Sequence, residues 1–440
     1  MRICVIGTGH VGLLTCVSFA HLGHDVVGID SDAEKISLLS NGKAPFYEPG
    51  VEEILQLELA TGRLRFANSA EDGVAGREVA FICVGTPPTA TGEANLLAVE
   101  RALLDVVKSA TQPMVVVEKS TVPAGTAQRV QQTLQRESAG VDRFDVASNP
   151  EFLREGRGLK DSLEPDRILV GAETERALKT MRAVYQPLTS KGIPLIETDL
   201  ATAELAKHAC NAFLSMKISY INALARVCER AGADVTKVAK VMGSDPRIGG
   251  EFLNAGLGYG GYCFPKDIQA FERLADRLGY DFALLREVEK INDEAVIVAV
   301  NKVRDALWNL EGKRIAILGL SFKPGTDDIR LSPALRLAAL LIDEGASVVG
   351  FDPQAGASVK DEVPALEIAM DAYAAARDAH CMVLATEWDE FHQLDLERLR
   401  DELRYPIVVD GRNFFDPRTM QSLGFTYYSM GRKDARLETA

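Results

Sequence analysis

The chain has 440 residues, of which 47% are hydrophobic and 25% are charged, and its formal net charge at pH 7 is −14. This length exceeds what one hydrophobic core usually supports, and the composition fits neither a disordered chain nor a fibre. The negative charge argues against nucleic acid or an anionic membrane as the main partner.

The first residues, MRICVIGTG, lack the basic, apolar and small-residue segments of a signal peptide. No apolar run reaches the roughly 18 residues that a membrane span needs. We therefore expect a soluble, cytoplasmic protein. The seven cysteines are scattered without a C-x-x-C pair, so the sequence suggests neither a disulfide framework nor a metal site, and most thiols should be buried.

Short runs rich in β-branched residues alternate with helical stretches in both halves of the chain. This alternation predicts an α/β fold with two doubly wound Rossmann-like domains joined by a long central helix. The predicted strands lie at residues 2–7, 25–30, 79–85, 114–120 and 144–148 in the first half, and at 314–319, 347–352, 381–386 and 406–412 in the second.

The pattern divides the chain into an N-terminal Rossmann domain of residues 1–198, a central helical region of 199–300 and a C-terminal Rossmann-like domain of 301–430. The polar tail of residues 431–440 is expected to be disordered. Residues 199–231 contain neither Pro nor Gly and predict one long helix. Because this helix is apolar on several faces, we expect it to form a homodimer or a higher homo-oligomer, the alternative being a core helix of a monomer.

The motif GTGHVG, residues 7–12, follows the first strand and opens a helix, and Asp30 ends the second strand. Strand, glycine turn, helix, strand and acid in this order form the dinucleotide fingerprint, in which glycines admit a pyrophosphate to a helix N-terminus. Asp30 would accept hydrogen bonds from the ribose hydroxyls and repel a 2′-phosphate. The motif therefore favours NAD over NADP.

Strand ends in this fold point toward the ligand, so Thr86 and Thr121 should lie along the cofactor. The C-terminal half lacks a comparable motif, because Phe322, Lys323 and Pro324 stand where a phosphate turn needs glycine. That half should bind something else.

The stretch GLGYGGYCFPKD places Cys263 just ahead of a helix that is predicted to begin at Pro265. The helix dipole and the ammonium of Lys266 would both favour the thiolate, and the glycines should let a substrate approach the backbone. A thiolate beside an NAD site suits oxidation of an aldehyde to an acid through a thiohemiacetal and a thioester. Lys207 and Asn211, four residues apart on the long helix, share a face and can reach one oxyanion.

Eight ordered motifs, from residue 1 to about residue 412, resemble the nucleotide-sugar dehydrogenases of the UDP-glucose/GDP-mannose dehydrogenase family. They are GTGHVG, GKAPFYEPG, ICVGTP, KSTVPAGT, NPEFLREG, AELAKHACNAFLSMKISYIN, DPRIGGEFLNAGLGYGGYCFPKD and SFKPGTDDIRLSP. The resemblance, closest to the UDP-glucose branch, implies oxidation of UDP-glucose to UDP-glucuronate with two NAD. GDP-mannose or a UDP-N-acetylhexosamine is the alternative substrate.

The resemblance also implies three groups of site residues. In catalysis, Cys263 is the nucleophile, Lys207 and Asn211 steady the oxygen of the reacting carbon, and Asp267, Thr121 and Glu151 handle protons and water. The cofactor group is Gly7, Gly9, His10, Val11, Gly12, Asp30, Lys35, Thr86, Thr121, Glu155, Lys266 and Arg330. The substrate group is Glu151, Phe152, Leu153, Lys207, Asn211, Arg247, Phe252, Leu253, Gly256, Tyr259, Gly260, Phe322, Lys323 and Arg412, with Arg247 reaching the neighbouring subunit's site.

Two positions depart from the family pattern. His10 stands where a Tyr is common in the glycine turn, and Tyr262 stands where a small Ser often precedes the cysteine. These departures bear on NAD affinity and on the packing beside the thiol. Two other classes stay open from the residues alone: a single-step hydroxyacid dehydrogenase, which would not need Cys263, and a non-catalytic NAD-binding sensor.

Overall fold

The computed structural model describes residues 1–90, 92–138, 143–356 and 358–434. The chain divides into two compact units, the first formed by Met1–Cys210 and Lys266–Tyr280 and the second by Asn211–Pro265 and Asp281–Ala440. Of the three points where the chain passes from one unit to the other, 210/211 and 265/266 fall inside helices and 280/281 falls between two helices. Within the described ranges, no helix combines the length and the apolar character that crossing a bilayer requires.

The first unit is built on a sheet of eight strands in the order β3-β2-β1-β4-β5-β6-β7-β8. Only the β6–β7 pair is antiparallel. The strand order reverses between β1 and β4, which opens a crevice at the carboxyl ends of these strands. The strands are β1 (Arg2–Ile6), β2 (Asp25–Ile29), β3 (Leu64–Ala67), β4 (Val79–Ile82), β5 (Met114–Glu118), β6 (Phe144–Ser148), β7 (Ile168–Ala172) and β8 (Leu195–Thr198).

Helices cover both faces of this sheet. Ile3 and Val5 of β1 belong to one apolar cluster, while Cys4 and Ile6 belong to another on the opposite face. This alternation shows that both faces are buried, as a doubly wound sheet requires. The helices are α1 (His10–His21), α2 (Ala33–Ser40), α3 (Val51–Ala60), α4 (Ala70–Val74), α5 (Leu97–Ser109), α6 (Thr126–Glu137), α7 (Gly158–Leu163) and α8 (Glu175–Thr189).

Four helices lie in sequence between the two sheets: α9 (Leu200–Ala231), α10 (Val235–Gly243), α11 (Cys263–Arg277) and α12 (Ala283–Leu307). The long predicted helix is confirmed as α9. Asp199 caps it, because its side chain accepts a hydrogen bond from the Thr202 backbone N–H at 2.8 Å.

The second unit contains a parallel sheet of six strands in the order β11-β10-β9-β12-β13-β14. Its strands are β9 (Arg314–Leu318), β10 (Ser347–Phe351), β11 (Glu367–Ile368), β12 (Cys381–Leu384), β13 (Ile407–Asp410) and β14 (Thr426–Ser429). Its helices are α13 (Pro333–Asp343), α14 (Val359–Glu362), α15 (Ala372–Ala376), α16 (Leu396–Glu402) and α17 (Pro417–Ser422), with a short 3-10 helix at Asp389–Gln393. The predicted fold of two doubly wound sheets and one long helix is confirmed.

The tail predicted to be disordered, residues 431–440, includes two residues that are packed in the structure. The Gly431 backbone N–H donates to Glu229 Oε1 at 2.8 Å, and the Gly431 carbonyl accepts from the Val235 backbone N–H at 2.9 Å. Arg432 is buried and donates to the Tyr427 hydroxyl at 2.7 Å. These two polar positions are therefore packed parts of the second unit, while residues 435–440 lie outside the described residues.

Candidate active site

The glycine turn after β1 is shaped by contacts of the backbone with itself. Gly7 has a φ of +90°, and a Cβ there would lie 2.8 Å from the Cys83 carbonyl oxygen. A Cβ on Gly12 would lie 1.8 Å from the Gly7 carbonyl oxygen. At Gly9, in contrast, a Cβ would meet no described atom within 4 Å. This open space lies at the N-terminus of α1, where a phosphate is stabilised by free N–H groups and the helix dipole.

Asp30, which follows β2, is held as a carboxylate. Its Oδ2 accepts from the Thr8 backbone N–H at 2.9 Å, from the Thr8 hydroxyl at 3.0 Å and from Lys35 Nζ at 3.0 Å. Burial opposes ionisation, but these hydrogen bonds and one from the Asp32 backbone N–H outweigh it and hold the pKa of Asp30 below its ordinary value. The predicted acid therefore stands charged at the glycine turn, where ribose hydroxyls can donate to it.

A cleft of about 1030 Å³ opens beside Gly9, Asp30 and Lys35. Gly85, after β4, and Arg101 of α5 also line it. The fit of this cleft to a dinucleotide rests on the open N-terminus of α1 and the charged acid. Arg101 was missed by the sequence reasoning, because strand-end patterns point to loops and not to a helix.

The loops after β4 and β5 are joined at the two predicted threonines. Thr86 is buried, and its hydroxyl donates to the Thr121 carbonyl oxygen at 3.0 Å. Of the other predicted cofactor residues in this unit, Val11 lies half-buried in the first turn of α1 and Glu155 lies half-buried before α7. The structure thus brings the predicted threonines together at the sheet edge that carries the glycine turn.

His10, the departure from the family pattern, is the first residue of α1. Its Nε2 lies 3.2 Å from Glu48 Oε2, and its ring centroid lies 4.5 Å from that of Phe46. The buried Glu48 carboxylate also accepts from the backbone N–H groups of Gly156 and Gly158, each at 2.8 Å. Glu48 therefore ties the glycine turn to the start of α7, a role that its motif GKAPFYEPG did not reveal.

A buried ion pair joins α9 to the loop after β6. Lys207 Nζ lies 3.0 Å from Glu151 Oε1, and the two side chains are only 5% and 7% exposed. Glu151 Oε2 accepts from the Leu153 backbone N–H, and Lys207 Nζ lies 5.4 Å from the centroid of the Phe152 ring. The structure therefore places a proton donor and a proton acceptor in direct contact in a site that excludes most water.

A second ion pair lies in the first turn of α11, where Lys266 Nζ is 2.6 Å from Asp267 Oδ1 and both side chains are buried. Burial opposes ionisation of Asp267, but the charges of Lys266, Lys207 and His208 outweigh it and lower its pKa. His208 Nε2 lies 2.9 Å from the Val122 carbonyl oxygen. Burial lowers the pKa of His208, which favours the neutral ring.

In the second unit, Cys263 is the exposed member of the seven cysteines, all of which lie in described ranges. The helix was predicted to begin at Pro265, but α11 begins at Cys263, so the thiol stands on the first helical residue. Asn211 lies one turn beyond Lys207 on α9 and is buried. A thiol at a helix N-terminus is favoured as the thiolate by the helix dipole.

The glycines before Cys263 make close contacts within the second unit. A Cβ at any of four of them would lie within 3 Å of an atom of the second unit. The close contacts are Gly256 with Gly411, Gly258 with Asn292, Gly260 with Leu331 and Gly261 with Phe322. These glycines allow the loop to pack against its own unit, and Tyr259, between them, is likewise buried.

Arg412 anchors this loop. Its Nε donates to the Ala385 carbonyl oxygen at 2.7 Å, a terminal N–H donates to the Gly258 carbonyl oxygen at 3.3 Å, and Nε lies 3.2 Å from Glu387 Oε2. Arg412 also borders a cavity of about 490 Å³ with Leu253 and residues of α10. Phe252, next to this cavity, has a φ of +65°, an uncommon conformation for a non-glycine residue.

The three other predicted cations of this unit differ in their surroundings. Arg330 pairs with Asp328 at 2.6 Å and its guanidinium lies 4.8 Å from the Tyr262 ring centroid. Lys323 Nζ lies 5.3 Å from the Phe322 ring centroid. Arg247 pairs with Asp245 at 2.6 Å, and its side chain is 87% exposed.

The acid that follows β10 in the second sheet differs from Asp30 in its contacts. Asp352, which follows β10 as Asp30 follows β2, is buried. Its Oδ2 accepts from the backbone N–H groups of Leu320 and Ser321 at 2.7 and 2.9 Å and from Trp388 Nε1 at 3.1 Å. Asp352 therefore holds the loop after β9 in place within the second unit.

The glycine turn, the charged acid after β2 and the cleft beside them are the features of the cofactor domain of an NAD-dependent dehydrogenase. The chain matches three family models: the NAD binding domain of the UDP-glucose/GDP-mannose dehydrogenase family at residues 1–189, the central domain at 201–294 and the UDP binding domain at 316–417. The chain therefore belongs to the UDP-glucose/GDP-mannose dehydrogenase family.

Similar proteins span the whole chain. UDP-glucose 6-dehydrogenase of Rhizobium meliloti is 42% identical over 438 residues, which cover 99% of this chain and 100% of that protein. UDP-glucose 6-dehydrogenase TuaD of Bacillus subtilis is 40% identical over 439 residues, covering 99% and 94%. The structure of a UDP-glucose dehydrogenase from Pyrobaculum islandicum matches with a TM-score of 0.91 at 38% identity, covering 98% of each chain. That of UDP-D-ManNAc dehydrogenase from Pyrococcus horikoshii matches with a TM-score of 0.87 at 29% identity, covering 98% and 99%.

Two alanine substitutions separate the roles of the glycines. Gly12→Ala should lower the melting temperature by several degrees, because its Cβ collides with the Gly7 carbonyl oxygen. Gly9→Ala should leave the melting temperature unchanged but weaken NAD binding about tenfold or more, since the methyl group occupies the open space where the pyrophosphate approaches. Calorimetry and fluorescence titration with NAD measure both effects. Equal NAD affinity of Gly9→Ala and the parent protein would contradict this placement of the pyrophosphate.

Asp30→Ala tests the choice of cofactor. Loss of a charged hydrogen-bond acceptor should raise the KM for NAD about tenfold while changing the KM for NADP little or lowering it. Initial rates with each nucleotide measure the ratio, and Glu34→Gln, an exposed acid on α2, is the control. A parent protein that uses NADP as well as NAD would show that Asp30 does not select the cofactor.

Proposed function

We propose that the protein oxidises UDP-glucose to UDP-glucuronate with two NAD, through a covalent intermediate on Cys263. The observation that carries this proposal is an exposed thiol on the first residue of α11, in a chain about 40% identical over its full length to two relatives named UDP-glucose 6-dehydrogenase. A single-step alcohol dehydrogenase needs no such thiol.

The reaction balances as UDP-glucose, two NAD⁺ and water giving UDP-glucuronate, two NADH and three protons. When bound, NAD would supply the hydride acceptor for C6 in each of the two oxidations. The Cys263 thiolate adds to the C6 aldehyde, forming a C–S bond, and the resulting thiohemiacetal is oxidised to a thioester. Water then breaks the C–S bond, which releases the carboxylate and returns the thiol.

The buried pair of Lys207 and Glu151 supports proton transfer at C6. A Lys207 ammonium can stabilise the oxyanion that forms when the thiolate adds to the aldehyde, and Asn211, one turn along α9, supplies an amide donor for the same oxygen. Glu151, 3.0 Å from Lys207, is the proposed base for the hydrolytic water. Thr121 and Asp267 are assigned to the same handling of water and protons.

The cofactor is assigned to the first unit, with the pyrophosphate over Gly9 and the adenosine ribose on Asp30 and Lys35. His10 would cover the pyrophosphate from the first turn of α1. Thr86 and Thr121 would lie toward the nicotinamide, since the loops after β4 and β5 both end at the crevice. Glu155, Lys266 and Arg330 complete the cofactor assignment.

The nucleotide sugar is assigned to Phe152 and Leu153 in the first unit and, in the second, to Phe252, Leu253, the backbone of residues 256–260, Phe322, Lys323 and Arg412. A diphosphate needs cations, and Lys323 and Arg412 are the proposed ones. Another nucleotide sugar is the second candidate, since the Pyrococcus horikoshii structure named for UDP-D-ManNAc also matches over nearly the whole chain. The higher identity to the relatives named for UDP-glucose favours that substrate.

We also propose a homodimer through α9. Phe213, Tyr220 and Val227 are each more than half exposed and follow one another at intervals of seven residues. That spacing places them on one face of the helix, where a second copy can bury them. The exposed Arg247 is assigned to the neighbouring active site.

The absence of disulfides from the described cysteines favours a reducing compartment such as the cytoplasm.

Counting NADH tests the reaction. With limiting UDP-glucose, we expect two NADH per sugar and UDP-glucuronate as the product. Cys263→Ala should lower kcat for the complete reaction roughly a thousandfold, because no thioester can form. Cys210→Ala, a half-buried thiol on α9, is the matched control and should keep full activity. One NADH per sugar, or full activity in Cys263→Ala, would contradict the covalent route, while a panel of GDP- and UDP-sugars identifies any better substrate.

Introducing negative charges on the exposed face of α9 tests the proposed dimer. The double variant Phe213→Glu and Tyr220→Glu should give a monomer mass at micromolar concentration, because two buried carboxylates per subunit oppose association. Light scattering coupled to gel filtration measures the mass. Leu278→Glu, at an exposed apolar position outside α9, should keep the parental mass. A monomeric parent protein would contradict the proposed dimer.

A further inference from the structure

The loop between β5 and α6, residues 119–125 (the Thr121 loop), is held by buried polar side chains along its length. Four side chains make these contacts, two from the ends of β4 and β5 and two from α9. The contacts are Glu118 Oε1 with the Ser120 N–H at 3.0 Å, the Thr86 hydroxyl with the Thr121 carbonyl at 3.0 Å, His208 Nε2 with the Val122 carbonyl at 2.9 Å, and Glu204 Oε2 with the Gly125 N–H at 2.6 Å. The backbone at Thr121 is therefore set in part by Glu118, Glu204 and His208, three side chains to which the reaction assigns no role.

Glu204 caps α6 from a different helix. It lies on α9, three residues before Lys207, and it is only 2% exposed. Its Oε1 accepts from the Ala127 backbone N–H at 2.6 Å, in addition to the Gly125 contact of Oε2. An ionised carboxylate accepts at both oxygens, whereas a protonated one would point its O–H at one of these donors. The geometry therefore requires charged Glu204, placed where the N-terminus of α6 stabilises negative charge.

Glu118, the last residue of β5, is also buried, with only 1% of it exposed. Unlike Glu204, it has a hydrogen-bond donor among the described residues at only one of its two carboxyl oxygens. Its Oε1 accepts from the Ser120 N–H, while Oε2 has no hydrogen-bond partner in the described part of the chain. An orphan oxygen is less costly to bury on a neutral carboxyl than on a carboxylate. The contacts therefore favour protonated Glu118.

No lysine, arginine or histidine of the described ranges forms an ion pair with Glu118 or Glu204. The nearby Lys119 ammonium donates to Asn149 Oδ1 at 3.1 Å, and His208 contacts backbone carbonyls. Burial raises the pKa of Glu204 to about 7. Burial, together with the charge of Glu204, raises the pKa of Glu118 to about 8. This order agrees with the contacts, since the acid with more N–H donors ionises first.

We propose that charged Glu204 and neutral Glu118 are positioning residues that hold the Thr121 loop against α9, and so keep Thr121 in place relative to Lys207. The inference rests on the proposed function only in taking Thr121 and Lys207 as residues of the reaction. The fixing of the loop itself stands on the hydrogen bonds within the first unit.

The kinetic test uses Glu204→Gln. The glutamine keeps one acceptor but turns its NH₂ group toward the other backbone donor, so kcat should fall about tenfold while KM for both substrates stays within about twofold. We expect the parental kcat to decline on the acid side with a midpoint near pH 7, and this decline should be absent from the variant. Glu137→Gln, an exposed acid at the far end of α6, is the control. An unchanged kcat and acid decline in Glu204→Gln would overturn the proposal.

A second measurement needs no turnover. Hydrogen exchange at pH 8 should be faster in Glu204→Gln than in the parent for the peptide containing residues 119–127, and unchanged in Glu137→Gln. Glu204→Asp, whose shorter side chain should also loosen this segment, replaces Glu204→Gln if that variant does not fold. Unchanged exchange in the variant examined would overturn the proposal. Faster exchange in a protein that oxidises no nucleotide sugar would instead remove the proposed function and leave the loop-holding role standing.

The pH dependence of the melting temperature tests whether Glu118 is neutral in the folded protein. The pKa of Glu118 is about 8 in the folded protein and about 4.5 as its ordinary value. A carboxyl with a raised pKa in the folded state makes the protein less stable as the pH rises between these two values. The melting temperature of the parent should therefore fall more between pH 6 and pH 9 than that of Glu118→Gln, by about 3 °C or more. Equal slopes for the two proteins would show that Glu118 is not the neutral member of the pair.

Discussion

The buried contact between Lys207 and Glu151 is the interaction on which the rest of the first unit's site depends. Two opposite charges removed from water cost several kcal/mol each unless they are paired, and here they lie 3.0 Å apart. Moving either side chain would separate two opposite charges in a site with little water. The pair therefore fixes α9 against the loop after β6, and the charge of Lys207 also helps to lower the pKa of Asp267.

The topology of the sheet explains why these groups meet. The strands β1, β4, β5 and β6 are neighbours and all run parallel, so their carboxyl ends lie along one edge. That edge carries the glycine turn, Thr86, Thr121 and Glu151 in this order. A cofactor laid along the edge would run from Asp30, after β2, toward the pair of Lys207 and Glu151. The functional residues thus come from distant parts of the chain but from adjacent strand ends.

Much of the fold was predictable because its signals are local. Nine β-branched runs gave strands at the predicted places, and the stretch without Pro or Gly gave α9. The missed strands include β8, which is half exposed, and β11, which has only two residues. Such short strands carry little apolar pattern, because they are stabilised by pairing with a neighbour rather than by burial of both faces.

The candidate site likewise has residues that local sequence patterns predict and residues that depend on partners far away in the chain. Gly7, Gly12 and Asp30 were predictable because one strand–turn–helix–strand unit contains them all, and the position of Cys263 near a helix start was predictable from Pro265. The partners of buried charges were not predictable, because the contacts of Glu151 with Lys207 and of Glu48 with His10 join residues far apart in sequence. The glycines at 256–261 show a further limit: the sequence indicates a close approach but not what approaches.

The most direct test of the covalent route is the intact mass of Glu151→Gln after mixing with UDP-glucose and excess NAD. If Glu151 activates the hydrolytic water and Cys263 holds the substrate, this variant should accumulate the thioester and gain the mass of one UDP-glucuronyl group per chain, in a peptide containing Cys263. A variant that forms NADH from the sugar without any added mass on Cys263 would contradict the account.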